Sequence, residues 1–332
     1  AAYASVNIPF GKFNIYAGVR FEHDRMELVS NTQDHQKSPT STYYTFNDFF
    51  PSVNATYHLT DKQQLRLAYG KSVNRPEFRE VSSSVFYDFD LSGNIQGNPN
   101  LTACYVHNVD LRYELYPSKS ELVSVALFYK NFQNPIEWTY TVAGGTDPIY
   151  SYKNAKGAYS YGVELDIKKS LDFIGVPDLS LVFNGALIKS KVSFDKGDQE
   201  KKRPMQGQSP YIINTGLFYQ NSRIGLSAAL LYNRIGKRIV GVGRSMGSVD
   251  DNVRIPDSYE MPRNAVDINL SKKIGSHFEL KLSVKDLLGE SVVFKQFEDG
   301  ILLNNGTVKN AEEVTRCYKP GRNYSLSVTY NF

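Results

Sequence analysis

The sequence has few of the residues from which metal centres, disulfide frameworks and helical membrane spans are built. Among its 332 residues there are two cysteines, Cys104 and Cys317, and five scattered histidines. The two cysteines form neither a zinc-binding spacing nor a disulfide framework, and we expect two separate thiols. The uncharged apolar runs at 122–129 and 224–233 are far shorter than the ~18–20 residues of a membrane-spanning helix. A zinc module, a disulfide scaffold and a helical membrane protein are therefore excluded.

The sequence also has little that indicates catalysis or nucleic-acid binding. It contains no zincin helix and no phosphate-binding loop. The net charge is only +4, and no basic stripe with interleaved aromatic residues is present. We therefore predict a protein without enzymatic activity, cofactor, bound metal or nucleic-acid partner.

What the sequence has in abundance is aromatic residues in an alternating pattern. It contains 23 tyrosines and 19 phenylalanines. In the last ten residues, 323–332, the even positions are apolar and the odd positions are polar. The same alternation occurs at 13–21, 105–115, 161–167 and 278–284. A period of two predicts strands with one apolar and one polar face.

The lengths of the strands and connections favour a membrane barrel over a soluble sheet protein. Several predicted strands have ten residues or more, against ~5–6 in most soluble sheets and ~9–11 for a tilted strand that crosses a bilayer. Short and long connections alternate along the chain. The short ones are at 9–12, 60–62, 117–120, 170–178, 220–223 and 275–276. The long ones are at 28–42, 74–103, 133–157, 191–209, 237–263 and 298–314.

Short turns at one end and long loops at the other are typical of an outer-membrane barrel. We therefore predict an all-β chain that forms a transmembrane antiparallel β-barrel of the outer-membrane type, with about thirteen strands here. The even-numbered side chains of 323–332 are expected to face lipid. Because an odd number of strands does not close antiparallel, either further strands belong to this barrel, or about twelve strands close alone.

Five segments resemble the barrel of TonB-dependent receptors, the plugged outer-membrane transporters of Gram-negative bacteria. They are RLAYGKSVNRPEFRE at 66–80, GNPNL at 97–101, AYSYGVELD at 158–166, VKDLLG at 284–289 and KPGRNYSLSVTYNF at 319–332. Each motif is weak alone, but the five occur in the order of the family. The resemblance implies that residues 1–332 are the C-terminal portion of such a barrel, roughly the last thirteen of about twenty-two strands. The family's plug domain and TonB-contacting segment have no counterpart in this sequence.

The resemblance also implies a function and a set of partners. The expected function is energised uptake of a scarce nutrient through the outer membrane, and the expected nutrient is an iron-siderophore or other metal chelate. The expected partners are a plug domain, the TonB complex, the barrel-assembly machinery, outer-membrane lipid or lipopolysaccharide, and a small-molecule ligand. The alternative is a self-closed barrel of about twelve strands that acts as a pore, an adhesin or an enzyme.

Aromatic and basic residues in the predicted outer loops are the candidates for ligand contact. The leading candidates are Arg75, Phe78, Phe86, Tyr87, Trp138 and Tyr140. Stacking on aromatic rings with a few cations suits a flat anionic ligand, although a girdle at the membrane interface has the same composition. A basic cluster is the candidate for contact with lipopolysaccharide or an anionic ligand, or is simply a solvated loop. It comprises Lys201, Lys202, Arg203, Arg234, Lys237, Arg238, Arg244 and Arg254. The expected assembly signal is the terminal Phe332 with Tyr324 and Tyr330, as the resemblance implies.

Overall fold

The computed structural model describes residues 1–30, 40–89, 93–142, 148–195, 202–245, 254–302 and 308–332. Within these residues, no helix is long and apolar enough to cross a membrane. The two helical segments are α1 (Phe78–Val81) and a short 3-10 turn at Asp172–Ile174.

The strands follow one another as a long series. They are β1 (Ala2–Phe10), β2 (Phe13–Ser30), β3 (Thr40–Thr60), β4 (Gln63–Asn74), β5 (Val85–Asp88), β6 (Gly93–Gln96), β7 (Cys104–Leu115), β8 (Leu122–Gln133), β9 (Ile136–Val142), β10 (Pro148–Asn154), β11 (Gly157–Ser170), β12 (Leu179–Ser193), β13 (Tyr211–Asn221), β14 (Leu226–Ile235), β15 (Arg238–Gly241), β16 (Arg244–Ser245), β17 (Arg254–Ile255), β18 (Ser258–Glu260), β19 (Asn264–Ile274), β20 (Phe278–Lys285), β21 (Val292–Leu302), β22 (Val308–Tyr318) and β23 (Asn323–Tyr330).

Thirteen strands form one large antiparallel sheet, as the alternation predicts. Its order is β1-β2-β3-β4-β7-β8-β11-β12-β13-β14-β19-β20-β23, so each strand pairs with the next one of the sheet along the chain. In the described residues, β2 pairs with β1 and β3, and β23 pairs with β20. The sheet therefore ends in β1 and β23, and closure between β2 and β23 does not occur.

One face of this sheet is apolar over its whole width. On the last two strands, Leu326 lies opposite Leu282 and Val328 lies opposite Leu280. Leu326 is 67% exposed and Val328 is 65% exposed. The predicted common face of the even-numbered residues is thus confirmed for 324–330, but the strand ends at Tyr330 and does not include Phe332. A register shift of one residue would place this entire set on the polar face.

The opposite face carries a hydrogen-bonded row of polar side chains across β8, β11, β12, β13 and β14. Ser124 donates to Asp166 (3.2 Å), which also accepts a hydrogen bond from Asn184. Asn214 donates to Asn184 (3.4 Å), and Asn233 donates in turn to Asn214 (2.6 Å). Carboxylate and amide groups pair across neighbouring strands because residues of one parity face one another. The two faces of the sheet therefore differ sharply in polarity.

Short turns and long connections alternate as predicted, with one correction. The last long connection was expected at 298–314, but β20 ends at Lys285 and β23 begins at Asn323. Asp286 adopts a left-handed conformation (φ 54°), and Gly289 does the same three residues later (φ 61°). This turn ends the strand, since non-glycine residues with positive φ interrupt regular pairing. The connection thus contains the β21–β22 hairpin, which belongs to another sheet.

The long connections contain small sheets of their own. One sheet has the order β5-β6-β10-β9, a second has the order β15-β18-β21-β22, and β16 pairs with β17. The best-buried apolar cluster lies here: Val81, Ile95, Leu101 and Tyr152 form what we call the loop core. A Cβ atom on Gly97 would lie 2.5–2.7 Å from three carbonyl oxygens around α1, so only glycine fits there.

Replacing Gly162 in β11 with alanine is expected to destabilise the sheet. An added Cβ would overlap the carbonyl oxygen of Leu187 and come within 2.8 Å of the Phe128 ring. Overpacking of this kind costs about 1–3 kcal/mol. Urea unfolding of the full-length protein in lipid vesicles measures the change. Gly70→Ala in β4 is the matched control, because no heavy atom lies within 4 Å of its added Cβ. Equal unfolding of the two variants would contradict this prediction.

Candidate ligand-binding site

Arg75, a predicted ligand contact, lies inside a cage of carboxylates. Its guanidinium group contacts Glu22 (2.9 Å), Asp48 (3.0 Å) and Asp24 (3.6 Å). The buried Asp48 also accepts a hydrogen bond from the Tyr105 hydroxyl (2.6 Å). Bidentate geometry makes arginine well suited to join several carboxylates. The cage ties the segment after β4 to the β2–β3 hairpin, so the guanidinium has an internal structural role.

Phe86 and Trp138 come together on the loop core, although 52 positions separate them in the sequence. Both side chains pack against the cluster from different connections, between β4 and β7 and between β8 and β11. The rings of Trp138 and Tyr152 lie 4.6 Å apart. The guanidinium of Arg79 lies 4.0 Å from the centre of the Phe86 ring. Two candidates from different connections are thus brought into one structural unit.

Two asparagines fasten these connections to each other. Asn98, in the GNPNL motif, donates to the carbonyl oxygen of Tyr152 (3.0 Å). Asn154 accepts a hydrogen bond from the backbone N–H of Thr102 (2.8 Å) and donates to the carbonyl oxygen of Asn134 (2.9 Å). Such bonds satisfy backbone groups that have no ladder partner. These hydrogen bonds give the motif a structural role that requires no ligand.

The other predicted contacts are exposed or lie outside the described residues. Phe78 is 61% exposed at the start of α1. Tyr87 is 51% exposed and meets the 87% exposed Phe89 in an edge-to-face pair at 5.1 Å. The backbone of Tyr140 belongs to β9, but its side chain lies outside the described part of the structure. Exposed aromatic pairs are suitable for stacking on a flat ligand.

A cavity of about 280 Å³ lies between the β9–β10 hairpin and β15. Trp138 and Tyr150 line one side, and Val240 and Val242 line the other. Gln206 also lines the cavity, and its amide N–H donates to the carbonyl oxygen of Val240 (2.9 Å). The sequence did not predict this cavity, because its walls come from three separate connections.

A buried ion pair supports the region beside the cavity. Arg203 donates to Glu137 (2.7 Å), and the two side chains are 6% and 7% exposed. Burial raises the pKa of the Glu137 carboxyl, and the neighbouring Arg203 opposes that rise. The Arg203 guanidinium also lies 5.7 Å from the Phe194 ring. The pair joins β9 to the segment before β13, and it too was not anticipated from the sequence.

The predicted basic cluster does not form one patch among the residues that are described. Arg203 is buried with Glu137, and Arg238 pairs with Glu260 (2.7 Å). Lys237 lies over two aromatic rings, at 5.0 Å from each. Lys201 and the side chains of Arg244 and Arg254 lie outside the described part of the chain. Arg234 donates hydrogen bonds to Tyr211 (3.2 Å) and Asn264 (2.7 Å), whereas Lys202 is exposed.

A Gly-x-Ser-x-Gly sequence, GRSMG, occurs at 243–247. Its Ser245 ends β16, a two-residue strand paired with β17, and residues 246–253 lie outside the described part of the chain. Both cysteines are free thiols, Cys104 buried and Cys317 exposed, as predicted. No group of metal-binding side chains occurs among the described residues.

The chain matches the sequence profile of the family described as TonB dependent receptor-like, beta-barrel, over residues 1–287. No curated protein matches the chain. Solved structures with a similar fold include a mutant of the ferric enterobactin receptor PfeA from Pseudomonas aeruginosa, with 17% identity and a TM-score of 0.61. The ferric-catecholate import receptor Fiu from Escherichia coli has 14% identity and a TM-score of 0.64, and the siderophore receptor PirA from Acinetobacter baumannii has 14% and 0.60.

These structures are considerably longer than this chain. Each alignment covers 99% of this chain, but only 44% of the PfeA chain, 44% of the Fiu chain and 54% of the PirA chain. At such identities the similarity establishes the fold and no more. The predicted all-β barrel architecture is confirmed.

Replacing Arg203 with methionine is expected to destabilise the loop region by about 3–5 kcal/mol, because Glu137 is left buried without its cation. The double variant Glu137→Met/Arg203→Met should lose less than either single variant, since no uncompensated charge remains. Hydrogen exchange of the amides in β9 and at 202–208 measures the effect. Arg238→Met is the control, because its pair with Glu260 is about one-third exposed and is expected to contribute under ~1 kcal/mol.

The loss of stability that Arg203→Met causes should also depend on pH. A carboxyl with a raised pKa in the folded state binds its proton more tightly there than when unfolded, so stability is lost as pH rises between the two pKa values. Without Arg203 that loss is larger, so the loss of stability should grow as pH rises above the ordinary pKa of a glutamate carboxyl. A deficit that is independent of pH would show that Glu137 is not the group left unpaired.

Proposed function

The chain belongs to the TonB-dependent receptor family, and from this premise we propose that it is the C-terminal part of an outer-membrane receptor barrel for energised nutrient uptake. The family match over residues 1–287, on a thirteen-stranded sheet with one apolar face, carries the proposal. Family members are outer-membrane transport receptors rather than enzymes. The apolar face would meet lipid, and the hydrogen-bonded polar face would meet the lumen.

The ends of the sheet support a larger barrel of about twenty-two strands over a self-closed one. All nine residues of β1 are exposed, and β23 is exposed along nearly its whole length. Unpaired strand edges are not tolerated in hydrocarbon, because each unsatisfied backbone group costs several kcal/mol. Further strands that pair with β1 and β23 would remove both edges. A plug domain and the TonB complex would then be partners of the complete receptor.

We propose a ferric siderophore or another metal chelate as the transported nutrient. Receptors for ferric enterobactin, ferric catecholates and siderophores are among the structurally similar proteins. The loop side of this chain offers aromatic surface at Tyr87, Phe89 and Trp138, which suits ligands with flat rings. Nothing in the described site favours an enzyme or adhesin as a second candidate.

The last strand would also serve as the assembly signal. Tyr324 is 65% exposed and Tyr330 is 48% exposed on the apolar face, and the Phe332 side chain is fully exposed. Tyr330 contacts Phe332 edge-to-face (5.2 Å) and packs against Phe278 on the neighbouring strand (4.9 Å). An accessible terminal aromatic stripe is the form that a recognition signal for the barrel-assembly machinery would take.

Cells that express the full-length receptor are expected to take up iron from at least one of three labelled chelates: ferric enterobactin, a ferric monocatecholate and a ferric hydroxamate. Uptake should require both the receptor and a functional TonB complex. The measurement is cell-associated iron in strains with and without TonB. Binding without any TonB-dependent uptake, or ion conductance of the purified chain in planar bilayers, would favour the self-closed pore instead.

Replacing Tyr87 and Trp138 together with alanine should weaken binding of the transported chelate by about 2–4 kcal/mol if both rings stack on it. Because Trp138 also packs against Tyr152, loss of the loop core is a competing cause. Tyr152→Leu is the control, since Tyr152 is buried in that core but does not line the cavity. Barrel assembly is verified by heat-modifiable gel migration. Unchanged affinity in an assembled double variant would show that these aromatic residues are not ligand contacts.

A further inference from the structure

Two lysines lie at the point where the apolar side chains of β12 end. Asn184 of this strand belongs to the hydrogen-bonded polar row, so the odd-numbered residues of β12 lie on the opposite, apolar face. Their side chains are Leu181, Phe183 and Leu187, followed by Lys189 and Lys191. Leu187 is 68% exposed, and Lys189 is exposed next to it on the same face. The apolar face of this strand therefore ends in a pair of cations.

The two lysines lie near the end of β12 from which a long connection leaves. The strand begins at Leu179 after a short turn and ends at Ser193, and β13 begins only at Tyr211. Lys189 follows Leu179 by ten positions. At a rise of ~3.3 Å per residue and a tilt of ~40°, this separation spans about 25 Å of height, which is the height of the apolar band of an outer-membrane barrel. Under the proposed function, Lys189 thus lies at the level of the lipid headgroups of the outer leaflet.

Tyrosines on the neighbouring strands lie at the same level. Lys189 is paired with Tyr161 of β11. Lys191 is paired with Tyr159, whose ring stacks on that of Tyr161 with the ring centres 6.1 Å apart. On the other side of β12, Tyr211 begins β13. Tyrosines are enriched at the boundary between hydrocarbon and headgroups, so they independently support this level for the two lysines.

Neither lysine has a counter-charge among the described residues. Lys189 and Lys191 form no ion pair and no hydrogen bond within that part of the chain. The described strands β11, β12 and β13 carry no acidic residue on this face. At the other end of β11, by contrast, Lys169 on the same face is paired with Glu121 (2.6 Å). Two like charges about 7 Å apart along one strand repel each other, so an anion is favourable beside them.

The ligand that suits this surface is both phosphorylated and apolar. Alternate residues of a strand are about 7 Å apart, so two lysine ammonium groups can reach the oxygens of one phosphate and donate charge-assisted hydrogen bonds to it. Next to them on the same face, Leu187 and Val163 are 68% and 42% exposed and offer surface to hydrocarbon chains. A free phosphate ion would gain nothing from these apolar side chains, whereas a phosphorylated lipid contacts both kinds of surface at once.

We propose that Lys189 and Lys191 bind the phosphate group of an outer-leaflet lipid, which in the expected membrane is lipopolysaccharide. The acyl chains of the lipid lie against Leu187 and Val163, and its headgroup meets the hydroxyl of Tyr161. The two lysines are not members of the basic cluster that the sequence predicted for this role. The placement of this surface in the outer leaflet rests on the proposed function, but binding of the lipid does not depend on uptake.

The test measures lipid binding to the full-length receptor in detergent micelles by native mass spectrometry. The probes are diphosphoryl lipid A and the same lipid without its phosphates. Lys189→Gln/Lys191→Gln is expected to weaken binding of the diphosphoryl lipid by about 25- to 30-fold, because each basic residue near an anionic lipid contributes about 5-fold. Binding of the dephosphorylated lipid should be unchanged, since the apolar contacts remain.

Lys130→Gln/Lys168→Gln is the matched control, because it removes two lysines from the polar face of the neighbouring strands β8 and β11. This control and Lys189→Arg/Lys191→Arg, which keeps both charges, should bind the diphosphoryl lipid as the wild-type protein does. The inference is overturned if Lys189→Gln/Lys191→Gln loses no more affinity than the control, or if it loses as much for the dephosphorylated lipid. Displacement of the lipid by millimolar inorganic phosphate would also overturn it, because the site would then be one for free anions.

The outcomes separate this inference from the proposed function. Lysine-dependent binding of the lipid by a receptor without TonB-dependent uptake would leave the inference standing and overturn the function. Uptake of a ferric chelate by a receptor whose lipid binding does not depend on the two lysines would overturn the inference alone. Assembly of each variant is checked by heat-modifiable migration. Lys189→Gln alone, with an expected loss of about 5-fold, gives an independent result if the double variant does not assemble.

Discussion

The antiparallel backbone ladder of thirteen strands is the constraint on which the rest of the structure depends. Each strand pairs with its neighbours over seven or more residues, so side chains of one parity share a face from β1 to β23. The apolar face and the row from Ser124 to Asn233 are both consequences of that register. At Gly162, for example, the Phe128 ring leaves no room for a Cβ atom, so the register restricts this position to glycine. Because backbone pairing fixes the conformation of the thirteen strands, irregular backbone conformations are confined to the connections between them.

On the loop side, charged and amide side chains hold separate segments together, as backbone hydrogen bonds between strands do in the large sheet. Apart from the β21–β22 hairpin, the strands in the described connections have seven residues or fewer, so many backbone groups there need other partners. Asn98 and Asn154 satisfy several of these groups, and the ion pairs of Arg75 and Arg203 join segments far apart in sequence. The family-like motifs around Arg75 and Asn98 are thus explained by the contacts with which they connect separate loop segments. They hold the loop core and the cavity in place.

The sheet could be predicted from the sequence because its two faces lie in contrasting environments, which imposes a strict period of two on residues such as 323–332. The end of β20 could not, because the left-handed conformation of Asp286, which ends the strand at Lys285, leaves no signal in the alternation. The ion pair of Glu137 and Arg203 escaped prediction because its members are 66 positions apart on different connections. Long-range contacts between irregular segments leave no periodic trace in the sequence. For Arg75 the residue was recognised, but its carboxylate partners on β2 and β3 could not be foreseen.

The distribution of charge on the loop side bears on how a ligand is recognised there. The described arginines are largely engaged: Arg75 with three carboxylates, Arg203 with Glu137 and Arg238 with Glu260. An arginine already paired with a carboxylate offers an anion little net attraction, because the neighbouring negative charge cancels its field. Aromatic side chains are not neutralised in this way, and Tyr87 and Phe89 stay exposed while Trp138 lines an uncharged cavity. Under the proposed function, recognition on this part of the chain would therefore depend more on the shape and ring faces of a ligand than on its charge.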